Sequence, residues 1–164
     1  INWQICITLK EIESFNILKK DAYHFCERFV NDRLTRIQKQ IKELEAALSS
    51  ETKSSAGDKH ETGRAMIQLE REKLGQQLAE LEKTQQLLSK VPKERKAQTV
   101  GLGSLVITDT FIYYIAISAG EFKSKPKSIY CISAATPIGK LVFGKAVGDV
   151  FSFNGNSLTI VSIH

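Results

Sequence analysis

The chain has 164 residues, 42% apolar and 25% charged, with 23 basic and 18 acidic side chains and a net charge of +5. That average globular mixture excludes a wholly disordered chain and a collagen-like one. No stretch nears ~18 uncharged apolar residues, so no membrane-spanning helix is expected, and the mild basicity permits nucleic-acid contact without predicting it.

The apolar start, Ile1 to Thr8, is short, carries no charge at its head and has no small-residue cleavage site. It does not read as a signal peptide. The only methionine is Met66, so residues 1–20 are taken as an extension or a fragment end and given no element or function. Three cysteines, Cys6, Cys26 and Cys131, are too few and too uneven for a disulfide framework. They fit a reducing, cytoplasmic setting.

From residue 21 the period is helical. Val30, Leu34, Ile37, Ile41, Leu44 and Leu48 are spaced by alternating fours and threes, and Tyr23 and Cys26 extend the stripe backwards. The small polar run Ser49 to Gly57 breaks it, and Ile67, Leu74, Leu81 and Leu88 resume it at sevens, with Leu78 between. Heptad spacing of this kind is a coiled-coil seam. Two helices joined by a short break fold back as an antiparallel hairpin. The spacing therefore predicts a helical arm over 21–91, with its tip near 49–61. At ~1.5 Å per residue each arm reaches roughly 40–45 Å.

Composition changes after residue 95. Residues 21–95 hold 27 charged side chains in 75 positions and residues 96–164 hold 9 in 69, while seven of the ten glycines lie in the second part. Pro92 cannot continue a helix, so 92–98 reads as the linker and 99–164 as a second domain. Its apolar runs at 105–107, 111–117, 129–132 and 158–163 are β-rich, and Asn154-Gly155 is a hairpin turn signal. Thr136, Pro137 and Gly144 bracket a short helix as N-cap, first residue and stop. The expected fold class is α+β: a long antiparallel coiled-coil hairpin followed by a small β-rich domain.

Motifs for stand-alone catalysis are missing. There is no G-x-S-x-G and no H-E-x-x-H, and neither Gly139-Lys140 nor Gly144-Lys145 belongs to a phosphate loop. Gly101-Leu102-Gly103 lacks the third glycine of a dinucleotide fingerprint. One constellation stands out: Gly57-Asp58-Lys59-His60-Glu61 at the turn of the hairpin. In a helix beginning at Asp58 the two acids share a face. They admit two readings. Asp-x-x-Glu is a capping box, each acid satisfying a backbone N–H of the other. Two carboxylates one turn apart can also share a hard cation whose remaining ligands come from a partner.

The tip Gly57-Asp58-Lys59-His60-Glu61, the run Ile132 to Asp149 and the stretch Val100 to Val106 together resemble the bacterial Gre transcript-cleavage factors, GreA and GreB. The tip matches the family's G-D-x-x-E. The run Ile132-Ser133-Ala134-Ala135-Thr136-Pro137-Ile138-Gly139-Lys140-Leu141-Val142-Phe143-Gly144-Lys145 looks like its I-S-x-x-S-P-I-A-x-A-L-I-G-K. Val100-Gly101-Leu102-Gly103-Ser104-Leu105-Val106 is similar to its V-x-F-G-S-x-V.

The resemblance implies an FKBP-like second domain without isomerase activity. That domain would dock on RNA polymerase, with Thr136, Pro137, Ile138, Gly144 and Lys145 as polymerase-binding residues. It implies that the arm enters the polymerase's secondary channel and that Asp58 and Glu61 help hold a catalytic Mg²⁺ there. Backtracked RNA is then cut by the polymerase. On this reading the protein is a non-enzymatic, monomeric, cytoplasmic elongation factor without a cofactor of its own, and it meets DNA only indirectly. After the tip the family continues N-A-E-Y, whereas this chain has Thr62-Gly63-Arg64-Ala65. That departure favours, as the alternative, a channel-binding regulator without cleavage activity. A coiled-coil adaptor whose β domain binds peptides is the reading from another class.

Overall fold

The computed structural model describes residues 3–51, 58–94, 98–125 and 128–164, with side chains for all of these except 3–12, 51 and 58–60. The element order is α1 (Trp3–Glu51), α2 (Asp58–Ser89), β1 (Leu105–Thr108), β2 (Ile112–Ala116), β3 (Gly120–Phe122), β4 (Ile129–Ser133), α3 (Pro137–Val142), β5 (Val150–Phe153) and β6 (Asn156–Ile163). The chain is thus α+β, with a pair of long helices ahead of a six-stranded sheet. It divides into two compact units: residues 1–28 with 87–164, and residues 29–86. Among the described residues no helix is long and apolar enough to cross a membrane.

The start of the chain adds to the sequence reading. Residues 3–20, left without an element, are the first turns of α1. The physical reason is the absence of any breaker: the first glycine is Gly57 and the first proline Pro92. The division into units also differs from the expected boundary, since residues up to 28 belong with the sheet and not with the helical pair.

In the unit of residues 29–86, α1 and α2 run antiparallel. Arg71 reaches Glu45 across the pair at 3.6 Å. The same sense places Ile37 beside Leu81 around a shared hollow. Leu74 and Leu81 are the most buried leucines of the α2 stripe here, at 4% and 7% exposure. Leu34, Ile37, Ile41, Leu44, Ile67 and Leu78 are only half-buried. Two helices alone cover one stripe of each other, so a seam without a third layer stays partly wet.

In the unit of residues 1–28 and 87–164 the strand order is β3-β4-β2-β1-β6-β5. Strands β2 and β4 pair in parallel, Tyr113 beside Tyr130 and Tyr114 beside Cys131. The other neighbours are antiparallel. All five residues of β2 are buried, which means that both faces of the sheet are covered. On one face Tyr113 and Ile115 join Val106, Phe151, Leu158 and Ile160 under Ile138 and Val142 of α3. On the other, Tyr114 and Cys131 lie under α1, whose Ala22 and Cys26 have no exposed surface. Phe25 packs on Phe122 with ring centroids 5.3 Å apart, and Phe15 stacks on His164 at 4.2 Å.

The buried positions of α1 in this region are Lys19, Ala22 and Cys26, while Tyr23 is half-buried under the ammonium of Lys93. The stripe expected through Tyr23 and Cys26 therefore holds at Cys26 and passes through Ala22 in place of Tyr23.

Candidate functional site

Helix α2 begins at Asp58, as the sequence requires if the acids are to share a face. Positions 58 and 61 are one turn apart at its N-terminus, and Glu61 is exposed. Gly57 and the rest of the expected tip, residues 52–57, lie outside the described residues. The reciprocal hydrogen bonds of a capping box would involve the Asp58 side chain, which also lies outside them. A helix N-terminus carries roughly half a positive charge and favours ionised carboxylates there. Arg64, exposed one turn after Glu61, extends the same face with a cation.

Two carboxylates supply at most part of a cation's shell, since Mg²⁺ takes six oxygen ligands. Among the described residues no group of three or more His, Cys, Asp or Glu side chains is arranged to hold a metal ion.

Further along the helical pair, Ile37 and Leu81 border a hollow of about 650 Å³ whose rim includes Arg33, Arg36, Lys73 and Glu80. The guanidinium of Arg33 lies 4.0 Å above the Phe29 ring, an attraction between a cation and the electron-rich ring face.

In the sheet unit the five residues expected to bind a partner have structural duties. The Thr136 hydroxyl donates to the Ser133 carbonyl at 2.7 Å and accepts from the Gly139 N–H at 3.1 Å, which caps α3. Pro137 is the exposed first residue of that helix. Gly144 has a φ of +81°, open to glycine at little cost, and its N–H donates to the Val100 carbonyl at 2.8 Å. The Lys145 carbonyl accepts from the Val100 N–H at 2.8 Å. Ile138 is 7% exposed, belongs to the core under α3 and also lines the apolar hollow described below. What the segment does expose are Leu141, Phe143, Val147 and Val150, at 40–57%.

The sequence reading missed a second feature of this unit. Phe111, Tyr113, Tyr130, Ile132 and Phe153 line an apolar hollow of about 330 Å³, with Asn154 and Asn156 among its lining residues. The three rings Phe111, Tyr113 and Tyr130 form a triangle with centroids 5.8–6.1 Å apart. Burial, and then the neighbouring Tyr130, raises the Tyr113 hydroxyl above the ordinary tyrosine pKa, so it stays a neutral donor. The signal was in the sequence as alternation, Phe111 with Tyr113 and Tyr130 with Ile132, which puts each pair on one face of its strand.

No protein-family model matches this chain, and no curated protein is similar enough to be matched to it.

Proposed function

We propose that this protein is a Gre-like transcription elongation factor that acts on RNA polymerase. The observation that carries the reading is the start of α2 at Asp58, with Glu61 exposed one turn on, in an antiparallel helical pair. Within its own unit, α2 from 58 to 86 is roughly 40 Å long at ~1.5 Å per residue. A slender pair of that length suits the delivery of two carboxylates into a narrow channel.

The polymerase's own magnesium supplies the Lewis acidity for phosphodiester hydrolysis. Asp58 and Glu61 would add carboxylate oxygens to a magnesium ion held there and would accept hydrogen bonds from the attacking water. The protein then holds no cofactor of its own and performs no chemistry alone. It acts as a monomer in the cytoplasm on backtracked transcripts and meets DNA only indirectly.

The sheet unit takes the docking role and the FKBP-like fold in this proposal. Two observations support docking: the exposed apolar side chains between Leu141 and Val150, and the aromatic hollow beside Phe111. Exposed apolar surface of this kind marks interaction sites.

A second reading is favoured by Arg64, whose cation stands one turn from Glu61 where the family motif has an acid. It is a channel-binding regulator that occupies the polymerase without promoting cleavage.

The test uses stalled, backtracked elongation complexes. The chain is expected to shorten the RNA, and Asp58→Asn with Glu61→Gln to abolish shortening while co-purification with polymerase persists. Binding without shortening by the wild-type chain selects the regulator. Failure to co-purify, together with a concentration-dependent mass, selects the coiled-coil adaptor and rejects both polymerase readings.

A further inference from the structure

The aromatic hollow of the sheet unit holds more hydrogen-bonding capacity than the fold uses. Tyr113 lines it and is 6% exposed, yet its hydroxyl makes no hydrogen bond among the described residues. Buried hydroxyls as a rule have a partner. The Tyr130 hydroxyl and the carboxamides of Asn154 and Asn156, all in the same lining, are likewise without a hydrogen bond among the described residues.

Charge and shape narrow what fits. No acidic or basic side chain lines the hollow. A charged group entering it would lose hydration and gain no ion pair, so the buried part of a ligand is neutral. The wall is made of rings: Phe111, Tyr113 and Tyr130 at 5.8–6.1 Å, with Phe153 as a fourth. Phe111, Tyr130 and Phe153 are only half-buried, which leaves ring surface for a flat partner to stack on. Each carboxamide offers a donor and an acceptor side by side. An aliphatic side chain would fill the space and leave all four polar groups unanswered. A nucleobase meets both demands, with a flat face for the rings and an edge of adjacent donors and acceptors for the amides. At about 330 Å³ the hollow is at the small end of ligand sites and has room for one base.

We propose that the hollow formed by β2, β4 and the β5–β6 turn binds one unpaired base of a single-stranded RNA.

The Tyr113 hydroxyl, which burial keeps protonated, donates to an acceptor on the inner edge of the base. Tyr130 supplies a stacking face, and the exposed Asn154 and Asn156 pair with the outer edge at the mouth. Sugar and phosphate stay in solvent, so the hollow reads a base and leaves the backbone to the chain's general excess of five positive charges. This inference stands apart from the polymerase reading, in which docking then falls to the exposed apolar side chains between Leu141 and Val150.

The test titrates the full chain into a fluorescein-labelled, mixed-sequence RNA octamer at physiological salt and follows anisotropy. An abasic strand of equal length and charge is the control. The octamer is expected to bind at least about tenfold more tightly than the abasic strand, by the stacking of one base. Tyr113→Phe keeps the ring in the core and removes only the hydroxyl. It is expected to weaken octamer binding roughly 2- to 10-fold and to leave abasic binding unchanged. Tyr130→Ala should weaken it roughly 5- to 150-fold. Asn156→Ala, at an exposed position, gives a second reading of roughly 2- to 10-fold if Tyr130→Ala folds poorly. Equal binding of octamer and abasic strand overturns the proposal, as does the absence of binding to either. So does octamer affinity that Tyr113→Phe and Asn156→Ala leave unchanged.

Discussion

Gly139 lies directly against the carbonyl oxygen of Ser133, with no room for even one added carbon between them. A Cβ at position 139 would also meet the Ala134 Cα at 2.9 Å and the Thr136 hydroxyl at 2.9 Å. The obstacle is mainly backbone and cannot swing aside. Gly139→Ala is therefore expected to destabilise the sheet unit by about 1–3 kcal/mol, read as a lowered urea midpoint with an unchanged slope.

The same turn depends on the cap. Thr136 satisfies the Gly139 N–H through its hydroxyl. Thr136→Ala leaves that donor without its partner and is expected to cost about 1 kcal/mol, while Thr136→Ser, which keeps the oxygen, should lose much less. Equilibrium unfolding of the two variants side by side separates the hydroxyl's contribution from the methyl's.

In the helical pair, burial separates the leucines sharply. Leu81 is 7% exposed and Leu69 68%. Leu81→Ala opens a cavity in the seam and is expected to cost about 2–5 kcal/mol. Leu69→Ala should fall within about 0.5 kcal/mol of the parent. Thermal melting followed by far-ultraviolet circular dichroism reads both.

His164 links stability to pH. Burial, and then the nearby Lys19 ammonium, lowers its pKa. Its ring stacks on Phe15, and its Nε2 lies 3.1 Å from the Ser162 hydroxyl. The neutral ring is the form that the fold favours, so the unfolded chain binds a proton more readily. This contribution is fully present above the ordinary histidine value of about 6.5 and is lost as pH falls through the lowered folded value. Urea midpoints between pH 8 and pH 5 should fall more steeply for the parent than for His164→Gln. Equal slopes would mean that the imidazole is not perturbed in the fold.

Much of the second part of the chain was legible because its signals are local. Asn154 and Gly155 both take positive φ, +51° and +79°, as a two-residue hairpin turn demands. Thr136, Pro137 and Gly144 bracket α3 as their chemistry suggests. Strand β3 was not legible, because Gly120-Glu121-Phe122 is a short edge with no apolar alternation to betray it. The aromatic hollow required knowing that β2 and β4 pair in parallel, which alone sets Tyr113 beside Tyr130. Alternation within a strand is local; the neighbour across a crossover is not. At the candidate site, the placement of Asp58 and Glu61 on one helix face was readable from spacing. The diversion of Ile138 to the core was not, since a three-residue step in a six-residue helix says little about which side is covered.

The sheet unit is assembled from two stretches of chain that the helical pair separates, residues 1–28 and 87–164. On a ribosome its opening segment emerges long before its principal strands. Cys26 and Ala22 must wait for β4, about 100 residues later, before their apolar face is covered, a delay of roughly 5–20 s at ordinary synthesis rates. During that interval the nascent chain presents a sticky helix with nothing to rest on. The helical pair can close as soon as α2 is made, and in doing so it brings residue 28 near residue 87 before the strands arrive. It would serve the newborn molecule as a splint, whatever it later does for the mature one.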